Sequence, residues 1–251
     1  RCIYISLFDL TAYYTFMTDK TSLLTYLLEN YLSIHELSSS AVLKLNMAAK
    51  QIHHHNRAFK NLINRWSRFC DLKPEHIRWA KQNLQAIRTR KGQFLFEEER
   101  PKMTLFIVDQ GAIINVVNNS LGKPTIVNLA VPQMALSTTP HLHSNKPIAG
   151  SIQVIRPGQV LCLPYKELKK WINQDQNINT LVSILFNKQI RFFYLLNQIR
   201  GQHTPLERYQ HFHRLLPEIA SYLTEYQQAQ LLGTSRSTLQ KIKRRELWSR
   251  Q

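Results

Sequence analysis

Thr224-Glu225-Tyr226-Gln227-Gln228-Ala229-Gln230-Leu231-Leu232-Gly233-Thr234-Ser235-Arg236-Ser237-Thr238-Leu239-Gln240-Lys241-Ile242-Lys243-Arg244-Arg245 is the stretch on which the fold turns. Ala229 is small where one short helix must cross close to the next, and Leu232, Leu239 and Ile242 are spaced to bury against each other across that crossing. Gly233 permits a sharp left-handed turn between the two. Thr234 or Ser235 can cap the helix that follows. The spacing predicts a helix-turn-helix whose second helix turns Arg236, Ser237, Gln240, Lys241 and Arg244 outward.

Those side chains suit the edges of base pairs, since Arg can hydrogen-bond guanine O6 and N7 together, Gln can do the same for adenine, and Ser adapts to either. We therefore assign Ser235, Arg236, Ser237, Gln240, Lys241 and Arg244 to base reading. Thr234, Thr238, Lys243 and Arg245 are better placed for phosphates, where they set register without reading sequence. Charge agrees with this. The chain carries 33 Lys and Arg against 16 Asp and Glu, a formal +17, and residues 234–251 hold six basic residues against the single acid Glu246. Such a chain favours polyanions. A basic amphipathic hairpin that docks on an acidic protein partner is the rival reading of the same residues.

Upstream, residues 177–200 form the longest helical pattern, with Leu181, Leu185, Lys188, Phe192, Leu195 and Ile199 at alternating spacings of four and three. Apolar except at Lys188, this row predicts a seam between two copies of the helix, formed by Leu181, Leu185, Phe192, Leu195 and Ile199. Gly201 ends the helix and Thr204-Pro205 opens the next element. From Lys91 to Leu163 the texture is of short apolar runs: Gln93 to Phe96, Thr104 to Val108, Ala112 to Val117, Thr125 to Leu129, Ser151 to Ile155 and Gln159 to Leu163. Breaks such as Gln110-Gly111 and Pro157-Gly158 separate them, which predicts an antiparallel roll. From Thr21 to Arg68 the spacing is helical, and after Pro74 the residues Ile77, Ala80, Leu84 and Ile87 are expected along one further helix.

The fold class expected is therefore α+β: an N-terminal helical segment (1–68), an antiparallel jelly roll (69–175), a long dimerisation helix (176–200) and a helix-turn-helix domain (201–251). Only Glu246 to Gln251 follow the second helix of the motif, too few for a wing hairpin. Cys2, Cys70 and Cys162 form no disulfide framework or metal pattern, which suits a reducing cytosol. No window approaches the roughly 18 to 20 uninterrupted apolar residues that span a bilayer.

Ala229 to Leu239 resembles the helix-turn-helix of the CRP/FNR family of bacterial regulators. Phe69 to Trp171 resembles that family's cyclic-nucleotide-binding-type roll, with Lys91-Gly92-Gln93-Phe94-Leu95 similar to its opening strand and Phe106-Ile107-Val108-Asp109-Gln110-Gly111 to a central one. The resemblance covers about two thirds of the chain. It implies a homodimer joined along the long helix and reading a pseudo-palindromic operator in double-stranded DNA, with RNA polymerase as a candidate further partner.

Departures are as informative. Cyclic-nucleotide-binding members carry a Gly-Glu pair for the ribose and an Arg for the phosphate, in a loop that runs here from Val131 to Ser151 and holds no Glu, Asp or Arg. Thr138 stands about where the acid would be and Ala149 about where the Arg would be, so no cyclic AMP binding is expected. Lys146 is a poor substitute. No cofactor or metal is expected, no enzymatic activity, and an effector of unknown identity is left open. His53-His54-His55, His141-Leu142-His143 and His211-Phe212-His213 raise a cupin-like metalloenzyme as an alternative, but no carboxylate follows His143 until Glu167.

Overall fold

The structure, a computed structural model, describes residues 57–120 and 122–248. The helices expected between Thr21 and Leu45, and His53 to His55, lie outside the described residues. A helix over 57–66 (α1) leads to α2 (Pro74–Asn83), which has proline in its first turn. Six strands follow: β1 (Gln85–Thr89), β2 (Phe94–Glu97), β3 (Thr104–Asn118), β4 (Pro124–Ala130), β5 (Ala135–Ser137) and β6 (Ser151–Pro164). The remainder is helical: α3 (Tyr165–Ile172), α4 (Gln176–Arg200), α5 (Pro205–Leu215), α6 (Pro217–Tyr222), α7 (Glu225–Leu232) and α8 (Arg236–Trp248).

The strands form the expected antiparallel roll, with three corrections, the first being that β5 pairs with β3 inside the stretch from Val131 to Ser151 expected as a loop. Ile87 does not continue the helix after Pro74: α2 stops at Asn83, Leu84 is already extended, and β1 pairs with β6 from Gln85↔Cys162 to Thr89↔Gly158. Spacing alone kept Ile87 in phase with Ile77, but a five-residue ladder on the edge of β6 outweighs that weak helical preference. Nor do Gln110-Gly111 and Pro157-Gly158 break the chain into separate strands. They lie opposite each other inside β3 and β6, where the register shifts between Val108 and Ile113. Gly111 has φ +88°, and a Cβ there would sit 2.5 Å from the Arg156 carbonyl oxygen, while one on Gly158 would sit 2.1 Å from that of Gln110. Glycine lets the two backbones touch where both strands bend.

That bend builds the roll. On one side of it β6 pairs with β1 and β3 with β5; on the other β6 pairs with β2 and β3 with β4. Two cores result. Phe59, Leu62 and Trp66 of α1 pack with Trp79, Leu105, Leu161, Leu163 and Leu168, and with Leu181 and Leu185 of α4. Residues 57–66 thus belong to the packing of the roll. The second core runs without interruption from Ile114, Ile126 and Val154 through Phe192, Leu196 and Ile199 to Phe212, Leu231 and Leu239. The C-terminal helices and the roll share it.

Four residues of the expected seam on α4, Leu181, Leu185, Phe192 and Ile199, are therefore buried against their own chain, and Leu195 is half-buried. The row marks the face that covers the roll. α4 has a second apolar strip on its outer side, carrying Ile190, Phe193 and Tyr194, with Ile190 62% and Tyr194 68% exposed. Heptad spacing reports that a helix has an apolar stripe, but not what covers it.

Candidate nucleic-acid interface

Local chemistry fixes the helix-turn-helix. Thr224 opens α7 by accepting from the Gln227 backbone N–H at 3.3 Å, while the Gln227 side chain accepts from the Thr224 N–H at 2.9 Å, a reciprocal cap. Gly233 takes φ 64°, ψ 41°. This left-handed residue returns the Thr234 N–H to the Ala229 carbonyl at 2.9 Å and reverses the chain. Ser235 then caps α8, its Oγ accepting from the Thr238 N–H at 3.0 Å. Ala229, Leu232 and Leu239 are buried at the crossing, with Ile242 7% exposed.

Buried Gln228 secures the approach to the motif, its Nε2 donating to the carbonyls of Ala220 at 3.0 Å and Leu223 at 3.2 Å. Further bonds join these helices to the rest of the chain. Arg200 Nε donates to the Leu231 carbonyl (2.9 Å), Arg156 Nε to that of Tyr222 (3.0 Å), and Gln230 Nε2 to that of Pro124 (2.7 Å).

With Leu239 and Ile242 inward, a helix turning 100° per residue directs Ser237 and Arg244 straight outward, with Gln240 and Lys241 beside them. Arg236 and Lys243 lie along one flank, Thr238 and Arg245 along the other. Arg236, Ser237, Lys241, Arg244 and Arg245 are exposed; Thr234, Thr238, Gln240 and Lys243 are half-buried. Ser235 is exposed, and its hydroxyl also lies 2.9 Å from that of Ser237.

Sequence reasoning passed over Glu225, the first residue of α7. Its carboxylate accepts from Lys243 Nζ at 2.7 Å and from Gln240 Nε2 at 3.4 Å. Hydrogen bonds from Lys243 and Gln240, with the Lys243 charge, hold it below the ordinary carboxylate range. The one signal in the sequence was an acid directly after a cap, which ordinarily does no more than face the helix dipole.

His141 and His143 lie exposed on the loop after β5, while His213 packs against Tyr209, ring centroids 4.3 Å apart, and burial lowers its pKa. Among the described residues, the cluster with donor atoms close enough to share a metal is Glu75, His76 and Asp175. There His76 Nδ1 accepts from the Lys73 N–H at 2.9 Å, so the ring proton sits on Nε2 and bonds Asp175 Oδ2 at 2.8 Å. Neither ring nitrogen keeps a lone pair for an ion. Cys162 is equally quiet, since burial pushes its thiol up to about 11.

In the stretch from Val131 to Ser151, just after β5, Thr138 is fully buried, its hydroxyl donating to the Lys102 carbonyl at 3.1 Å and accepting from the Thr104 N–H at 2.9 Å. Ala149 is exposed, and the Gly150 N–H donates to Glu98 Oε2 at 2.7 Å. A carboxylate just past β2 thus reaches this stretch.

No protein-family model matches the chain, and comparison with curated proteins finds no relative. Solved structures do match. A protein assigned to the CRP/FNR family of transcriptional regulators from Eubacterium rectale superposes with a TM-score of 0.56 at 13% identity, over 71% of this chain and 85% of that one. The c-di-GMP-responsive global regulator CLP of Xanthomonas campestris gives 0.54 at 12% identity, over 70% and 93%. A CRP-family transcriptional regulator from Thermus thermophilus gives 0.51 at 14%, over 64% and 85%. The chain has the fold of CRP/FNR regulators, a cyclic-nucleotide-binding-type roll followed by C-terminal helices.

Proposed function

From the fold it shares with CRP/FNR regulators, we propose that this protein is a sequence-specific, double-stranded-DNA-binding transcription regulator and not an enzyme. One observation carries the reading: beyond the left-handed turn at Gly233, a capped helix presents Ser237, Gln240, Lys241 and Arg244 together on its outer face, opposite buried Leu239 and Ile242. That helix enters the major groove. Arg236, Ser237, Gln240, Lys241 and Arg244 meet base edges with Ser235 at the helix N-terminus, and Thr234, Thr238 and Arg245 meet phosphates. Lys243 is a phosphate contact only when released from Glu225.

The protein acts as a homodimer joined through the outer strip of α4, because exposed Ile190, Phe193 and Tyr194 need a partner that the inward row does not. Its half-sites then lie about 34 Å apart. The roll does not sense cyclic nucleotides. This is supported by Thr138, whose hydroxyl is already bonded as both donor and acceptor, and by the absence of a guanidinium in the stretch from Val131 to Ser151. Among the described residues no helix is long and apolar enough to cross a membrane, and a cytosolic location fits a DNA partner.

The test is selection from a random duplex library, followed by titration of the enriched sequence against a scramble. An inverted repeat bound on the order of 10³-fold above the scramble is the expected result. Binding that ignores sequence and vanishes with salt would replace the regulator with a general polyanion binder.

A further inference from the structure

α8 carries the sequence-reading face, yet the strongest polar contact of its flank is made with the chain itself. Lys243 Nζ lies 2.7 Å from Glu225 Oε1, both side chains a little over one third exposed, and Gln240 Nε2 reaches the other oxygen at 3.4 Å. Glu225 occupies the first turn of α7, at the end away from Gly233, and meets the middle of α8. An acid is an unfavourable neighbour for phosphates, and a free lysine in the same place would bind any phosphate regardless of sequence. The arrangement thus lowers indiscriminate affinity. Its second arm ties the Gln240 amide nitrogen down, leaving its carbonyl oxygen to face a base-edge donor.

Resting on the regulator reading above, we infer that Glu225 is a specificity-setting residue that withdraws Lys243 from the phosphate backbone and orients Gln240 toward the bases. It touches no base. Its effect is on the ratio between operator and non-operator binding.

Glu225→Gln keeps the size of the side chain and removes its charge. The wild type, Glu225→Gln, Lys243→Ala and the double variant are titrated with the selected operator and with its scramble between about 50 and 200 mM salt. Release of Lys243 adds one phosphate contact, so Glu225→Gln steepens the dependence of log K on log salt by about 0.9 on either duplex. It strengthens scramble binding at low salt, and the operator-to-scramble ratio falls. Lys243→Ala alone leaves the slope near that of the wild type, whereas in the Glu225→Gln background it removes the added steepness. Repeating the selection with Glu225→Gln gives loss of preference at one position per half-site.

A role confined to folding would weaken both duplexes with no change of slope. An unchanged slope and motif in Glu225→Gln, with a wild type that discriminates normally, overturns the inference and leaves the regulator standing. A wild type that does not discriminate overturns both.

Discussion

Asp175 joins α2 to the long helix, and its removal gives a measurable loss that can be divided into parts. One carboxylate oxygen caps α4 by accepting the N–H groups of Asn177 at 2.8 Å and Ile178 at 3.1 Å, while the other accepts from buried His76 at 2.8 Å. Asp175→Ala loses a cap, typically about 1 kcal/mol, and leaves the His76 N–H unsatisfied at 2% exposure, which costs about 1 to 3 kcal/mol. Together these give about 2 to 4 kcal/mol, or a fall in Tm of about 4 to 16 °C for a unit of this size.

Asp175→Asn separates the terms, since an amide has one acceptor where the carboxylate has two. His76 cannot switch its proton to Nδ1, which is held as an acceptor by the Lys73 N–H. Whichever way the amide turns, it faces a donor with a donor, so Asp175→Asn costs about 1 to 3 kcal/mol and is milder than Asp175→Ala. Urea denaturation followed by tryptophan fluorescence measures both. Asp175→Asn within about 0.5 kcal/mol of the wild type would refute the tautomer assignment.

The same site fixes the sign of a pH effect. Partial burial alone would raise the Asp175 carboxyl, but bonds from Ile178 N–H, the His76 ring and Asn177 N–H lower it overall. A group depressed in the folded state stabilises above its unfolded pKa of about 3.9, and that contribution disappears as pH falls through the folded value. The gap between wild type and Asp175→Ala is full at pH 7 and shrinks below about pH 4.

Four further outcomes are expected. Gly158→Ala drives a Cβ to 2.1 Å from the Gln110 carbonyl oxygen, and denaturation should show a loss of about 1 to 3 kcal/mol, with a greater loss where β3 cannot shift. On α4, Ile190→Glu should convert the proposed dimer to a monomer by light scattering with little change in monomer stability, while Leu185→Ala on the inner row should cost about 2 to 5 kcal/mol. Arg244→Ala should lose about 1 to 3 kcal/mol of operator binding and relax preference at one base pair, read by titration against single-base variants.

The sequence by itself determined the helix-turn-helix, because every part of it is local. The Thr224 cap, the left-handed Gly233, the Ser235 cap and the inward spacing of Leu239 and Ile242 all lie within one another's immediate reach, where residue type and backbone conformation are directly linked. The apolar runs that became β2, β3, β4 and β6 were legible for the same reason, whereas β1 and β5 were not. Tertiary structure decided what locality could not. β1 exists because β6 offers an edge, and Gly111 and Gly158 are bends because each backbone faces the other across the sheet. The row Leu181 to Ile199 turned inward because the roll needed covering, leaving Ile190 and Tyr194 outside. His76 met Asp175 across 99 residues and Glu225 met Lys243 across 18, each acid having an ordinary first-turn or cap reading. Neither pairing has a sequence signature, since a hydrogen bond depends on distance in space and the chain sets that only when it has folded.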